Sequence, residues 1–342
     1  MNEKGYKIGK SAIDREIEEL ARKYSLPQNR EYFRQLFTTV VKLHLDKADE
    51  RDLYLANVSL KELRHIFRTF KTYRNVRKVA IFGSHRSSPK SKEYKMTVEF
   101  AREIVKKGFM VITGGGGGVM EAGNRGAGKK GFAVKIKLPQ ELEPNPYVTR
   151  GEKLIMVRYF FTRKLAFIKE SDATVLFPGG FGTHDEAFEV LTLLETGKCS
   201  PRPLIFVEAP GKKYWGTWLR FLKNELLKGR FLTEEEFKLF RVVGSAKKAV
   251  EEIVSFYRNY HSIRYGKETT IIRMNRRIPV NELKKLSKKY KAIISGEILP
   301  SGPLPAEVRN KEYLELPRIC MCFDRKSYGG LMDLIRDLNK IG

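Results

Sequence analysis

The chain has 342 residues, 42% of them hydrophobic, which is enough for a globular domain with a sizeable core and a smaller module. Its 66 Lys and Arg residues face 40 Asp and Glu residues, and the resulting formal charge of +26 favours phosphate-bearing partners of any kind. Three cysteines are too few for a disulfide framework. The N-terminus is charged where a signal peptide is apolar, and no apolar run is long enough to span a bilayer. We therefore expect a cytoplasmic protein with no membrane partner.

Residues 1–76 predict a helical N-terminal segment. Apolar residues recur at helical spacing in the stretches EIEELARKY, REYFRQLFTTVVKLHL and LKELRHIFRTF. No strand-like alternation interrupts them.

Residues 77–262 have a different pattern, in which short apolar runs alternate with segments long enough for helices. Continuous apolar runs predict strands that are covered on both faces, and their alternation with helices predicts an α/β fold, a Rossmann-like doubly wound parallel sheet. Ligands of such sheets bind beyond the carboxyl ends of the strands, which is where the glycine clusters of this chain fall. The runs are KVAIFGS, FMVITGGGGG, FAVKIKL, ATVLFPGG and PLIFVEAP.

Residues 263–342 predict a small α+β module. Strand-like and helical stretches follow one another in the order TTIIRMN, PVNELKKLSKKY, KAIISGEI, ELPRICMCF and GGLMDLIRDLN. We expect a regulatory or assembly role for this module.

The first glycine cluster, TGGGGGVMEAGNRGAGKKG at 113–131, follows a predicted strand and leads into a helix, so its amides could hold an anion. Gly115, Gly116 and Gly117 are the candidate anion-binding residues. No frame of the cluster satisfies the dinucleotide fingerprint G-x-G-x-x-G. A P-loop frame ends at Lys129, but Lys130 stands where that motif needs Ser or Thr, and the frame precedes a strand instead of following one.

The second cluster, FPGGFGTHDEAFEVL at 177–191, supports two interpretations. Thr183 and Glu186 form the T-x-x-E pattern of a capping box, which would give both residues a purely structural role. That interpretation leaves the glycines unexplained, since each costs about 0.5–1 kcal/mol against Ala where no special geometry is needed. Gly179, Gly180 and Gly182 therefore predict a bound phosphate, and Glu186 would then face the attached sugar.

A third segment, MVRYFFTRKLAFIKES at 156–171, predicts a packed helix that carries Arg163 and Lys164. Because the two cations are adjacent, they cannot point the same way. From these residues alone, a solvated basic face and a role in the site both remain open.

In this order, GVMEAGNRGA, the RK pair and PGGFGTHDE resemble the LOG family, the "Lonely guy" phosphoribohydrolases and their bacterial nucleotide 5′-monophosphate nucleosidase relatives. The resemblance covers about residues 78–225. It implies a Rossmann-like fold, a homodimer or larger homo-oligomer, and hydrolysis of the N-glycosidic bond of a nucleoside monophosphate to free base and ribose 5-phosphate. No metal-ligand cluster is visible in the sequence and none is needed for this reaction, and we expect no cofactor. Many members were formerly labelled lysine decarboxylases.

Carried over position by position, the resemblance assigns Arg163 and Glu186 to catalysis and Glu121 to the neighbourhood of the nucleotide. His184 departs from the family, which commonly has an apolar residue there. The resemblance gives the substrate phosphate to Gly179, Gly180, Gly182 and Thr183, and matches the turn after the first strand with Gly83 and Ser84.

The predicted function is hydrolysis of AMP-like nucleoside 5′-monophosphates. One alternative is a nucleotide-sensing or RNA-binding protein without turnover, although nucleic acid is the less favoured partner. A second is the decarboxylase of the older label, which would be yellow with pyridoxal phosphate. The RNA-binding alternative is favoured by the charge and by Lys284, Lys285, Lys288, Lys289 and Lys291.

Overall fold

A computed structural model describes residues 6–139, 143–148 and 153–341. The described residues fall into two compact units, within Met1–Arg64 and His65–Gly342. None of the helices in these ranges combines the length and the apolar composition needed to cross a bilayer.

The first unit is helical, as the sequence predicts. It contains α1 (Ser11–Tyr24) and α2 (Arg30–Leu45), which pack against each other, and most of α3 (Glu50–Lys71). The end of α3 belongs to the second unit, where Ile66 and Phe70 are buried in its core.

The second unit contains a seven-stranded, wholly parallel sheet with helices on both faces, which confirms the predicted α/β class. The sheet order is β4-β3-β2-β1-β5-β6-β7, so β2 to β4 are added on one side of β1 and β5 to β7 on the other, and the strand order reverses between neighbours β1 and β5. The strands are β1 (Lys78–Phe82), β2 (Met110–Thr113), β3 (Gly131–Ile136), β4 (Leu154–Val157), β5 (Ala173–Leu176), β6 (Leu204–Val207) and β7 (Arg241–Val243). The helices are α4 (Lys92–Lys106), α5 (Val119–Ala127), α6 (Phe160–Glu170), α7 (Phe181–Glu195), α8 (Tyr214–Phe221) and α9 (Ala246–Phe256).

Successive side chains of the central strands enter two different cores, because strand residues alternate between the faces of a sheet. Val79 and Ile81 pack with Phe100 of α4 on one face. Ala80 and Phe82 pack with Phe167 of α6 on the other. A sheet buried on both faces explains why its strands appear in the sequence as continuous apolar runs.

From Tyr260 onward, the chain adds a four-stranded antiparallel sheet in the order β10-β11-β9-β8. Apolar side chains of this sheet and of the closing helix belong to the same core as Phe82 and Phe206 of the large sheet. The elements are β8 (Tyr260–Tyr265), β9 (Thr270–Met274), α10 (Val280–Lys289), β10 (Ile294–Ser301), α11 (Pro305–Asn310), β11 (Arg318–Phe323) and α12 (Tyr328–Ile341). A boundary at 262 between a catalytic domain and a C-terminal module stays a prediction.

Candidate active site

A cavity of about 680 Å³ lies at the carboxyl ends of β1 and β5, where the sheet order reverses. This switch point is where open α/β sheets bind their ligands, because the loops of the two neighbouring strands diverge there. The volume suits a nucleotide-sized ligand. The cavity is lined by Phe82, Gly83, Ser84, His85, Arg86, Met120, Arg163, Gly179, Gly180, Phe181, Gly182, Thr183, His184 and Glu186.

The structure thus brings together eight of the twelve site residues predicted from the sequence. Three distant segments supply them: the turn after β1, helix α6, and the start of α7. The eight are Gly83, Ser84, Arg163, Gly179, Gly180, Gly182, Thr183 and Glu186.

Ser84 fixes the turn after β1 between two neighbouring elements. Its N–H donates to the Pro178 carbonyl at 3.0 Å, and its carbonyl accepts the Val119 N–H at 3.0 Å. Gly118 must be glycine here, since its φ is +63° and a Cβ would lie 2.3 Å from the Ser84 carbonyl oxygen. The first glycine cluster therefore lets α5 approach the β1 turn closely.

The start of α7 rules out the capping-box interpretation of Thr183 and Glu186. The helix begins at Phe181, its N-cap is Gly180, and no side chain caps it. The amides of Thr183 and His184 both bond to the Gly180 carbonyl, at 3.0 and 3.2 Å. Glu186 therefore lies in the second turn of the helix, beyond reach of the cap. The N–H groups of Phe181 and Gly182, which precede the two bonded amides, have no intrahelical acceptor and form the positive end of the helix dipole.

The three glycines of this loop have different surroundings. A Cβ at Gly179 would lie 2.1 Å from Thr183 Oγ1 and 2.8 Å from the Ser84 nitrogen, so this glycine is required by internal packing. At Gly180 and Gly182, a Cβ would meet nothing within 4 Å. Space is therefore left open at the two glycines beside the free helix amides, which is the arrangement that a bound anion requires.

Glu186 is a buried carboxylate that faces this cavity. The residue is 3% exposed, and its Oε2 has no hydrogen-bond partner among the described residues. Burial raises the pKa of Glu186 to about 7, although the Lys164 and Arg163 cations oppose that rise. Because an unpaired buried carboxylate is costly for the fold, such a group is a candidate for chemistry.

Arg163 and Lys164 point in different directions, as their adjacency requires. Arg163 Nε donates to the Val134 carbonyl at 3.1 Å, and its side chain lines the cavity. Burial lowers the pKa of Arg163, while Glu186 acts in the opposite direction; the guanidinium remains charged. Lys164 Nζ instead bridges Asp185 Oδ2 at 2.9 Å and Glu189 Oε2 at 3.0 Å on α7. The solvated-face interpretation therefore does not hold for Arg163.

The other four predicted residues lie outside this lining. The Gly115 N–H donates to Thr113 Oγ1 at 3.0 Å, and the Gly116 carbonyl accepts from Asn145 Nδ2 at 3.0 Å. Glu121 Oε1 accepts the Tyr94 hydroxyl at 2.9 Å. Binding roles for Glu121 and for Gly115, Gly116 and Gly117 stay predictions.

The cavity also contains residues that the sequence did not point to. Met120 and Arg86 are among its lining residues, with Arg86 exposed at the mouth. The ring of Phe181 is 95% exposed there. Arg86 follows the Gly-Ser turn by two residues, and its positive charge was the available signal. No sequence signal marked Met120 as a cavity residue, since it appears in the sequence as an ordinary apolar helix residue.

The fold and the cavity define an α/β protein with a candidate ligand site at the switch point of a parallel sheet, lined by helix amides, a buried carboxylate and a guanidinium. A family profile described as "Possible lysine decarboxylase" matches residues 116–253. This part of the chain is similar to proteins of the LOG family.

Two plant relatives illustrate the similarity. The chain is 26% identical over 184 residues to a cytokinin riboside 5′-monophosphate phosphoribohydrolase of Arabidopsis thaliana, covering 53% of this chain and 83% of that protein. It is 24% identical over 188 residues to the cytokinin riboside 5′-monophosphate phosphoribohydrolase LOG of Oryza sativa subsp. japonica, covering 54% and 75%. Among solved structures, the molybdenum cofactor carrier protein of Chlamydomonas reinhardtii aligns at 18% identity over 52% of this chain and 96% of its own, and its TM-score of 0.37 supports no inference about function.

Proposed function

We propose that the protein hydrolyses the N-glycosidic bond of AMP-like nucleoside 5′-monophosphates and releases free base and ribose 5-phosphate. The observation that carries the proposal is Glu186, a buried carboxylate with an unpaired oxygen in a cavity that also contains an uncapped helix N-terminus. The relatives named as phosphoribohydrolases support a hydrolase in general; the nucleotide monophosphate specificity is our proposal.

The start of α7 is the proposed phosphate site. Its free amides and the helix dipole stabilise a dianion, and the open space at Gly180 and Gly182 admits it. Binding energy at the phosphate then positions the sugar, so that part of the catalytic effect depends on a group remote from the reacting bond.

Glu186 is the proposed catalytic carboxylate. In the reaction, the bond between the anomeric carbon and the base nitrogen breaks, and its electron pair leaves with the base. A water oxygen bonds to the anomeric carbon, and the water gives a proton to Glu186. The departing base nitrogen takes up a proton from solvent, and Glu186 later releases its own to solvent, so that one water is consumed overall. Ionised Glu186 also stabilises the positive charge that develops on the sugar. With a pKa near 7, the carboxylate is basic enough to accept the proton at neutral pH.

Arg163 is the proposed electrostatic partner. Its fixed charge lies close enough to favour the ionised form of Glu186, and its side chain lines the same cavity. A guanidinium in that position can also hold a phosphate or sugar oxygen.

The test is to incubate the protein with AMP and, separately, with adenosine, and to detect free adenine and ribose 5-phosphate. We expect AMP to be cleaved about 100-fold faster, because adenosine lacks the anchoring phosphate. Equal rates would contradict the phosphate site. Binding of AMP without release of adenine would favour a nucleotide sensor instead.

The homodimer or larger homo-oligomer stays a prediction, which the mass of the protein in solution tests.

A further inference from the structure

A tyrosine and a histidine form a chain of hydrogen bonds that ends on the proposed phosphate loop. The Tyr214 hydroxyl lies 2.5 Å from the Gly179 carbonyl oxygen, and His184 Nε2 lies 2.7 Å from the same hydroxyl. His184 lines the cavity, whereas Tyr214 approaches the loop from α8.

The direction of each bond follows from the number of protons available. A carbonyl oxygen can only accept, so the single hydroxyl proton of Tyr214 is donated to Gly179. The hydroxyl oxygen must then accept from His184, which places a proton on His184 Nε2. Burial lowers the pKa of His184 and raises that of Tyr214, so both groups are neutral near pH 7.

Packing holds both rings in this arrangement. The Tyr214 ring meets Trp215 edge-on at 4.8 Å, and the His184 ring meets the same indole at 5.7 Å. The start of α8 is itself fixed, because Glu208 accepts the N–H groups of Trp215 and Gly216 at 2.8 and 3.2 Å. The hydroxyl is therefore presented to Gly179 by a rigid support.

The peptide between Gly179 and Gly180 needs such support. In a planar trans peptide, the C=O of one residue and the N–H of the next point in opposite directions. A peptide flanked by two glycines also has no Cβ atoms of its own to oppose a rotation. Rotation by half a turn would replace the Gly180 N–H with the Gly179 carbonyl, so that an anion would meet an acceptor instead of a donor.

We propose that Tyr214, oriented by His184, is a positioning residue that holds the Gly179–Gly180 peptide with its N–H directed at the substrate phosphate. The inference rests on the proposed function, since it assigns the start of α7 to a phosphate. It also gives a role to His184, where the LOG family commonly has an apolar residue. Neither residue needs to touch the reacting bond.

The test compares Tyr214→Phe with Tyr290→Phe, a matched control that follows α10, does not line the cavity, and loses a hydroxyl bond to Asp337 of α12. The measurements are the Kd for ribose 5-phosphate by calorimetric titration, and kcat and KM for AMP. We expect Tyr214→Phe to raise the Kd and the KM about tenfold with a small change in kcat, because one oriented donor to the phosphate is lost. The Tyr290→Phe values should equal those of the wild type.

Two further variants separate positioning from packing. His184→Leu removes the donor to Tyr214 and should raise the Kd about threefold, whereas His184→Gln retains an N–H donor and should bind more tightly than His184→Leu. Wild-type Kd in Tyr214→Phe, or equal Kd in the two His184 variants, would overturn the inference. Tyr214→Phe could bind ribose 5-phosphate tenfold more weakly while neither the wild type nor any variant hydrolyses AMP. That result would support the positioning role of Tyr214 and contradict the proposed hydrolysis.

Discussion

Glu186 combines a structural cost with the proposed chemical role. Its folded pKa of about 7 lies above the usual 4.5, because burial disfavours the ionised form. A raised folded pKa means that its contribution to stability is complete below about pH 4.5 and is lost as the pH rises through 7. Over that range, the wild-type protein should lose roughly 3 kcal/mol of unfolding free energy from this group alone.

Glu186→Gln should separate activity from stability. The amide cannot accept the proton or stabilise a cationic sugar, so we expect kcat/KM for AMP to fall about 100-fold or more. It also cannot ionise, so the variant should lack the stability decrease between pH 5 and 8. Urea unfolding at both pH values and initial-rate kinetics measure the two effects. A variant that retains wild-type turnover would remove Glu186 from the mechanism.

Lys164→Met tests how the neighbouring cation sets the pKa of Glu186. Lys164 favours the ionised form of Glu186, and wild-type activity should rise with pH through about 7 as that form accumulates. Without the Lys164 cation, the pH at which activity rises should increase by roughly half to one unit, because the pKa of Glu186 increases. Activity should be recovered at high pH. An unshifted limb would indicate that another group controls it.

At the scale of the element, the loop before α7 combines two kinds of glycine. Gly179 is fixed by its neighbours Thr183 and Ser84, whereas Gly180 and Gly182 adjoin open space. The sequence predicts the same phosphate-binding role for all three glycines, because the atoms that surround each glycine in the fold cannot be inferred from the sequence.

Alanine substitutions should separate the two kinds. Gly179→Ala forces a clash and should cost roughly 2 kcal/mol or more of stability. Gly182→Ala adds a methyl group in open space within a helix, so the melting temperature should hold or rise slightly, while the Kd for ribose 5-phosphate should increase. Thermal unfolding and titration of both variants check this. A destabilised Gly182→Ala variant would contradict the open space seen in the cavity.

The central strands and the main motifs could be predicted because their signals are local. Strand β1 appears as an apolar run that ends in Gly-Ser, and α7 follows its glycines directly. Strands β4 and β7 were not predicted. They form the two edges of the sheet, where their side chains are only partly buried, so the signal of a strand covered on both faces is weaker there. The T-x-x-E pattern misled for a different reason: it is four residues long, and it fits the interior of a helix that starts earlier as well as a helix start. His184 and Tyr214 are 30 positions apart, and only the fold pairs them.

At the scale of the whole molecule, the closing helix α12 is bonded into the larger α/β core. Asn339 Oδ1 accepts the N–H groups of Asn259 and Tyr260 at 2.7 and 2.8 Å, and Asn339 Nδ2 donates to the Phe256 carbonyl at 2.6 Å. Removing residues 263–342 would therefore expose core and break buried bonds. Point variants are the better probe of a regulatory or assembly role for this region, which stays a prediction.

Asn339→Ala should be severely destabilising. It leaves two buried N–H groups and a buried carbonyl without partners, at a cost of roughly 2–4 kcal/mol. Asn310→Ala is the control, since Asn310 is exposed and bonds only to Glu312 among the described residues; it should change stability by about 0.5 kcal/mol or less. Chemical denaturation compares them. Equal stabilities would show that the Asn339 hydrogen bonds contribute little to the fold.

The two bonds of Ser84 have a consequence for protein engineering. Because this one residue joins the end of β1 to Pro178 after β5 and to Val119 at the start of α5, the proposed phosphate loop depends on partners outside its own sequence. A graft of residues 178–186 into another scaffold would lack the partners that shape it. The smallest transferable unit comprises the adjacent strands β1 and β5, the turn between Phe82 and Ser84, and the first turns of α5 and α7. These elements come from three separate parts of the chain.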